Sequence, residues 1–193
     1  SGLFYLKKQK ALTSIPEKDI IDCAIISLGL NDISDFNPNK AIIENSLLKE
    51  GSLFDLSLRD FIDELSRNSP APGGGSVSAL AGSLSAALIS MVISLSNFKE
   101  SGDYGSKAQS IKDKYIFLIE EDSRAFDFVM NALRMKKKTT ADQQERSKTI
   151  QSAYKNAIKP PLKMLEITSE VLNIIKSIAS SINKNCLSDL GVA

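Results

Sequence analysis

An all-α fold, an antiparallel bundle of long helices with a short N-terminal helical and linker segment, is the class this sequence predicts. Three observations carry it. Apolar residues recur at helical spacing over runs far longer than a strand, β-branched alternation is scarce, and Pro, Gly and Asn punctuation is confined to a few places. The 193 residues suffice for one to one and a half domains with a substantial core. The beginning of the chain is punctuated and the rest is not, so a division is expected into residues 1–50 and 51–193.

A short apolar stretch, Leu3-Phe4-Tyr5-Leu6, is followed by Lys7, Lys8 and Lys10, whose ordinary reading is a solvated face. Pro16 suits a helix start, with acidic residues after it, Ile20, Ile21, Ala24 and Leu28 on one face, and Gly29 as the stop. Asn31 to Gly51, rich in Asn, Asp and Ser, is expected as linker. A second helix is expected from about Ser57 to Arg67, with Leu58, Phe61, Ile62 and Leu65 inward.

The run Ser69-Pro70-Ala71-Pro72-Gly73-Gly74-Gly75-Ser76 is excluded from any helix or strand interior by its prolines and glycines. It leads directly into a long helix. There Val77, Leu80, Ala81, Leu84, Leu88, Met91, Val92 and Leu95 form the stripe expected to face the core, and Ser78, Gly82 and Ala86 let another helix approach closely. No charge stands between Arg67 and Lys99. That run approaches the length of a bilayer span, yet its serines and its lack of a Leu/Ile/Phe-rich centre favour a helix buried in a bundle.

After a turn at Ser101-Gly102-Asp103, a helix is expected from about Tyr104 to Arg134. Its inner stripe is Ala108, Ile111, Tyr115, Leu118, Asp122, Phe126, Val129 and Leu133. Lys136-Lys137-Lys138 ends it, and Thr140-Ala141-Asp142-Gln143 has the form of a capping box. The next helix turns Ile150, Tyr154, Ala157 and Ile158 inward and bends or restarts at Pro160-Pro161. It continues with Leu162, Leu165, Leu172, Ile175, Ala179 and Ile182 inward.

Composition excludes several chemistries. With 24 Lys+Arg against 23 Asp+Glu, no basic face is forced, and a nucleic-acid partner is not expected. The chain has no histidine, which removes imidazole acid–base catalysis, a Ser-His-Asp triad and every zinc site that needs imidazole. Cys23 and Cys186 cannot form a four-thiolate metal site and read as thiols of a reduced compartment. No export signal opens the chain, so a cytoplasmic location is expected, with neither metal nor membrane partner.

Three places could carry chemistry. The backbone amides of Gly73, Gly74 and Gly75 with Ser76, at a helix start, make an anion seat; the plainer alternative is close packing plus a cap. It is not a P-loop, for the Lys-Ser/Thr pair is missing. Asp122 intrudes on an apolar stripe, so it either meets a cation such as Arg124 or Arg134 or holds a raised pKa suited to proton transfer. Asp189, after Ser188, has the ordinary alternative of a helix N-cap.

Ser69-Pro70-Ala71-Pro72-Gly73-Gly74-Gly75-Ser76-Val77 followed by a small-residue helix resembles the signature of the formiminotransferase-cyclodeaminase family and its stand-alone relatives, the methenyltetrahydrofolate cyclohydrolases. Asp122-Ser123-Arg124-Ala125-Phe126 resembles the family's Asp-x-x-Ala-Phe segment, and Pro161-Leu162 its Val-Pro-Leu bend. Asn183 through Cys186-Leu187-Ser188-Asp189-Leu190-Gly191-Val192-Ala193 resembles its Asn…Cys-x-Ser-Asp-Leu-x-Val-Ala run. Near the N-terminus, Leu3-Phe4-Tyr5-Leu6 and Ile26-Ser27-Leu28-Gly29-Leu30, with Phe36-Asn37-Pro38 and Ala41-Ile42-Ile43-Glu44, look like the tail of the formiminotransferase domain and its linker. Where the family has Lys-Asn-Thr after a Pro-containing turn, this chain has Lys137-Lys138-Thr139. Residues 51–193 are expected as a cyclodeaminase-like domain truncated at its C-terminus, because family members continue past the Val-Ala.

The resemblance implies folate one-carbon metabolism. The reaction would be cyclisation of 5-formiminotetrahydrofolate to 5,10-methenyltetrahydrofolate with loss of ammonia, in a histidine-degradation context. The alternatives are methenyltetrahydrofolate cyclohydrolase activity or a non-catalytic dimerisation module. Asp122 and Asp189 are the expected catalytic residues; Gly73, Gly74, Gly75, Ser76, Asn183 and Ser188 the expected substrate-binding ones. No cofactor beyond tetrahydrofolate itself is implied, its derivatives being the ligand with or without a polyglutamate tail. A homodimer or higher homo-oligomer is implied as the assembly.

Overall fold

The computed structural model describes residues 1–9, 13, 15–33, 36–42, 52–96 and 98–193. Among these every regular element is helical, as expected. The helices are α1 (Gly2–Lys8), α2 (Glu17–Leu28), α3 (Leu30–Ile33), α4 (Pro38–Ala41), α5 (Leu58–Leu65), α6 (Gly74–Ser94), α7 (Ser101–Arg134), α8 (Thr140–Ala157), α9 (Lys159–Ile178) and α10 (Leu187–Val192). Two 3₁₀ turns, Leu53–Asp55 and Lys184–Cys186, complete the set. Part of the expected linker, with Ile43 and Glu44, and Lys10 lie outside the described residues.

Local chemistry sets most helix ends. Pro16 precedes α2, and Gly29 closes it at φ 61°, a conformation that costs glycine nothing. The Ser57 hydroxyl accepts the Asp60 N–H at 3.1 Å and caps α5. The capping box stands one residue earlier than expected: Thr139 accepts from the Asp142 N–H while the Asp142 carboxylate accepts from the Thr139 N–H, each at 3.1 Å. The chain restarts as α9 at Lys159, just before the two prolines, whose missing N–H groups are no loss in a first turn. α7 begins at Ser101, so the expected turn there forms its first helical residues.

The chain folds as two compact units. One takes Ser1–Ser52, Leu84–Lys112 and Val171–Ala193; the other takes Leu53–Ser83 and Asp113–Glu170. The N-terminal segment, Ser1–Ser52, shares its unit with two later segments. The core of the first unit gathers Ile25, Ile89, Val92, Ile93, Ile111 and Ile178. That of the second gathers Phe61, Tyr115, Leu118, Ile119 and Ile167, with a cluster of Val129, Ala132 and Ala153.

α6 buries the face opposite to most of the expected stripe, keeping Val92 of it, and α9 buries a face turned by about one residue, roughly 100°, from the expected one. On α6 the buried positions are Ser76, Ala79, Ser83, Ala86, Ile89, Ser90, Val92 and Ile93, whereas Leu84 is 59% and Leu95 57% exposed, and Val77 and Met91 are also exposed. Small side chains win because they bring helices together: a Cβ built on Gly82 would lie 2.6–2.8 Å from ring atoms of Tyr115 on α7. The small-residue face is therefore filled in part by this chain's own α7. α6 is long and apolar enough to cross a bilayer, yet here it is a bundle helix with its small-residue face inside. On α9 the buried stripe is Met164, Ile167, Val171, Ile174 and Ile178, and Leu162, Leu165 and Leu172 point outward. The α7 stripe is as expected through Ala108, Ile111, Tyr115, Leu118 and Val129, but Phe126 and Leu133 are exposed; so are Leu28, Leu58, Ile62, Tyr154 and Ile158 elsewhere.

Candidate active site

The second unit brings the glycine run and Asp122 together. α6 begins at Gly74, so Gly75 and Ser76 belong to its first turn, whose N–H groups lack helical acceptors. The Asp122 side chain faces this turn. A Cβ on Gly75 would lie 2.2–2.3 Å from all three atoms of the Asp122 carboxyl group. The anion seat expected at the glycine run is therefore faced by a carboxylate of the chain itself. Gly74, by contrast, has nothing within 4 Å of the Cβ position, and Gly73 has only the Pro70 carbonyl at 3.7 Å, so the outer side of the turn is open.

Two opposed effects act on Asp122. Burial raises its pKa above the ordinary 3.8, and hydrogen bonds from the Ser76 backbone and side chain pull it down; burial prevails. Arg124 is engaged elsewhere: its Nε donates to Glu120 at 2.9 Å, and Glu120 also accepts the Leu53 N–H at 3.0 Å. Arg134 lies twelve residues further along α7, about 18 Å at 1.5 Å per residue.

Ser76 is fully buried, and its hydroxyl reaches the Ile119 carbonyl at 3.0 Å. A hydroxyl has one proton and two lone pairs. When Asp122 is ionised, Ser76 donates to it. When Asp122 is protonated, Ser76 can accept from it and donate to Ile119. The hydroxyl can therefore match either protonation state of Asp122. No sequence pattern reveals this pairing, because the signal is the missing side chain of Gly75 rather than any group present.

Asn183, Ser188 and Asp189 lie in the first unit. The Asn183 N–H donates to the Ser96 hydroxyl at 2.9 Å, and its side chain accepts the Asn185 N–H at 3.0 Å. Ser188 is exposed, and Asp189 sits half-buried in the first turn of α10, where Cys186, not Asp189, holds the N-cap position. The Ser85 hydroxyl donates to the Ala193 carbonyl, tying α6 to the end of α10. Cys23 and Cys186 are free thiols. Among the described residues no three Cys, Asp or Glu side chains gather in a way that could hold a metal ion.

Comparison with known proteins identifies the family. The family model described as formiminotransferase-cyclodeaminase matches residues 57–193, and that of the formiminotransferase domain matches residues 1–48. The rat formimidoyltransferase-cyclodeaminase is 33% identical over 204 aligned positions, covering all of this chain, which spans 38% of that relative's length. A methenyltetrahydrofolate cyclohydrolase of Methylorubrum extorquens is 32% identical over 145 positions, 71% of this chain and 70% of its own. Among solved structures, the formiminotetrahydrofolate cyclodeaminase of Thermotoga maritima superposes with a TM-score of 0.59 at 25% identity, over 70% of this chain and 67% of that one. Motif, helical fold and matched residues agree, and the chain belongs to the formiminotransferase-cyclodeaminase family.

Proposed function

We propose that the chain carries a formiminotetrahydrofolate cyclodeaminase activity, converting 5-formiminotetrahydrofolate to 5,10-methenyltetrahydrofolate and ammonia. One observation carries the proposal: the half-buried Asp122 carboxyl group seated against Gly75 in the first turn of α6. In the reaction the formimino group enters as the protonated amidinium, N5–CH=NH2+, and N10 of the folate attacks its carbon, the new C–N10 bond forming as the C=N bond opens to leave a neutral NH2 group. Ionised Asp122 takes the N10 proton. The protonated acid then returns that proton to the departing nitrogen, the C–N bond to it breaks, and ammonia leaves the methenyl cation behind. A single positioned carboxyl group can serve both transfers, and burial, which raises its pKa, moves its two forms toward each other in energy. The open outer side of Gly73 and Gly74 supplies backbone N–H groups for an anionic part of the substrate. On the support of the motif, Asn183 and Ser188 are proposed to bind substrate and Asp189 to share the proton handling.

The test is Asp122→Asn in the full chain, with methenyl product followed by its absorbance. Loss of about a hundredfold or more in turnover is expected from removing a general acid–base group. Near-wild-type turnover would overturn the proposal. The similarity to the Methylorubrum relative supports a second reading, a cyclohydrolase acting between methenyl- and 10-formyltetrahydrofolate. Ammonia released in step with product separates the two. We also propose a homodimer, supported by the outward apolar face of α6, where Val77, Leu84, Met91 and Leu95 follow a near-heptad spacing.

A further inference from the structure

A groove of about 470 Å³ opens in the second unit on a different face of α7. Arg124, Ala125 and Phe128 form its α7 wall, and Lys159, Pro160 and Lys163 its α9 wall. Successive helical residues turn by about 100°, so Phe128 projects well away from Asp122, which faces Gly75 and Ser76. The volume falls within the range of small-molecule sites.

Its lining combines two chemistries. The walls are apolar at Ala125, Pro160 and Phe128, whose ring is 66% exposed. The rim is cationic: Arg124, Lys159 and Lys163 stand against a single acid, Glu121. Lys163 reaches Glu121 at 3.8 Å with both side chains half-exposed, so this pairing is weak and exchangeable, and Arg124 holds Glu120 at 2.9 Å through its Nε, one of the guanidinium's five N–H donors. Lys159 has no ion-pair partner among the described residues, and the first turn of α9 holds no acidic residue. A solvated charged face would not need an uncovered aromatic ring set in a concavity among its cations.

We propose that this groove binds an aromatic carboxylate, with the ring against Phe128 and Ala125 and the carboxylate between Lys159, Lys163 and Arg124. The ring supplies apolar area and a face for the guanidinium, and the anion supplies charge-assisted hydrogen bonds. The site shares no residue with the Asp122 site.

The probe is 2-naphthoate, read in the full chain by its own fluorescence, which is not masked because the protein has no tryptophan. Saturable binding is expected. 2-Naphthamide, which lacks the charge, and cyclohexanecarboxylate, which lacks the aromatic ring, should each bind about tenfold more weakly or worse. Lys159→Gln with Lys163→Gln should weaken naphthoate about tenfold, and Phe128→Leu should weaken naphthoate while leaving cyclohexanecarboxylate unchanged. These side chains are exposed, so circular dichroism and Tm should not move. Asp122→Asn should leave naphthoate binding intact, which keeps this site and the proposed catalytic one separately testable. Non-saturable uptake, equal affinity for acid and amide, or full affinity in the double lysine variant would overturn the proposal.

Discussion

Adding one methyl group at Gly75 tests the candidate site without deleting any functional group. In Gly75→Ala the new Cβ would start 2.2 Å from an Asp122 carboxylate oxygen, and ordinary contact begins near 3.4 Å, so the carboxyl group must retreat by about 1.2 Å. Misplacing a catalytic group by about 1 Å costs on the order of a hundredfold in rate. The retreat also strains the bonds from Ser76, worth about 1.5–3 kcal/mol for a charged acceptor. Alanine regains about 0.5–1 kcal/mol of helix propensity over glycine. Turnover should therefore fall about a hundredfold while the helical circular dichroism survives. The assay is methenyl product formation at saturating substrate. Because the methyl group acts through Asp122, Gly75→Ala added to Asp122→Ala should change nothing further. Turnover of Gly75→Ala within about threefold of wild type would refute the reasoning, since it would mean that the position of the Asp122 carboxyl group does not matter to the rate.

Burial holds the Asp122 pKa above its ordinary value, so between the two values the folded chain keeps a proton that the unfolded chain has lost. This group's contribution to stability is full below 3.8 and is lost as pH rises through the folded value. Asp122→Asn should thus melt at or above wild type at neutral pH, the gap closing on acidification; a lower Tm at neutral pH would contradict the assignment. Gly82→Ala should destabilise by about 1–3 kcal/mol, because the Tyr115 ring it meets is held behind by its hydroxyl at the Met164 carbonyl, 3.2 Å, and Thr168, 2.7 Å. An unchanged Tm would show that the ring can slide. Leu84→Glu on the outward face of α6 should shift sedimentation toward monomer, and no shift would remove that face as the dimer contact.

Helix ends were legible where a residue acts through its own backbone or a neighbour's: Gly29 at positive φ, Ser57 as cap, the proline pair at the α9 start. Helix phase was not. α9 carries two apolar stripes, Met164-Ile167-Val171-Ile174-Ile178 and Leu162-Leu165-Leu172, and hydrophobicity does not choose between them. On α6 the choice went against hydrophobicity, because serine and alanine allow the close approach that leucine prevents. Asp122 stood out as a carboxylate on an apolar stripe, and the glycine run stood out as a break. That the two are one feature depends on a tertiary approach between residues 75 and 122, which no local pattern encodes.

The small face of α6 repeats at three- and four-residue intervals, Ser76, Ala79, Ser83, Ala86, Ser90, and such a ladder looks nearly the same after sliding by one turn, about 5.4 Å. Packing alone would leave the axial setting of this helix poorly defined. The Ser76 hydroxyl at Ile119 and the Asp122 carboxyl at Gly75 and Ser76 break that degeneracy, since a one-turn slip would strand both polar groups without partners. The residues proposed to move protons are then also the notch that sets the helix in register, and an inactive Asp122→Leu variant would be uninformative about catalysis where Asp122→Asn would not.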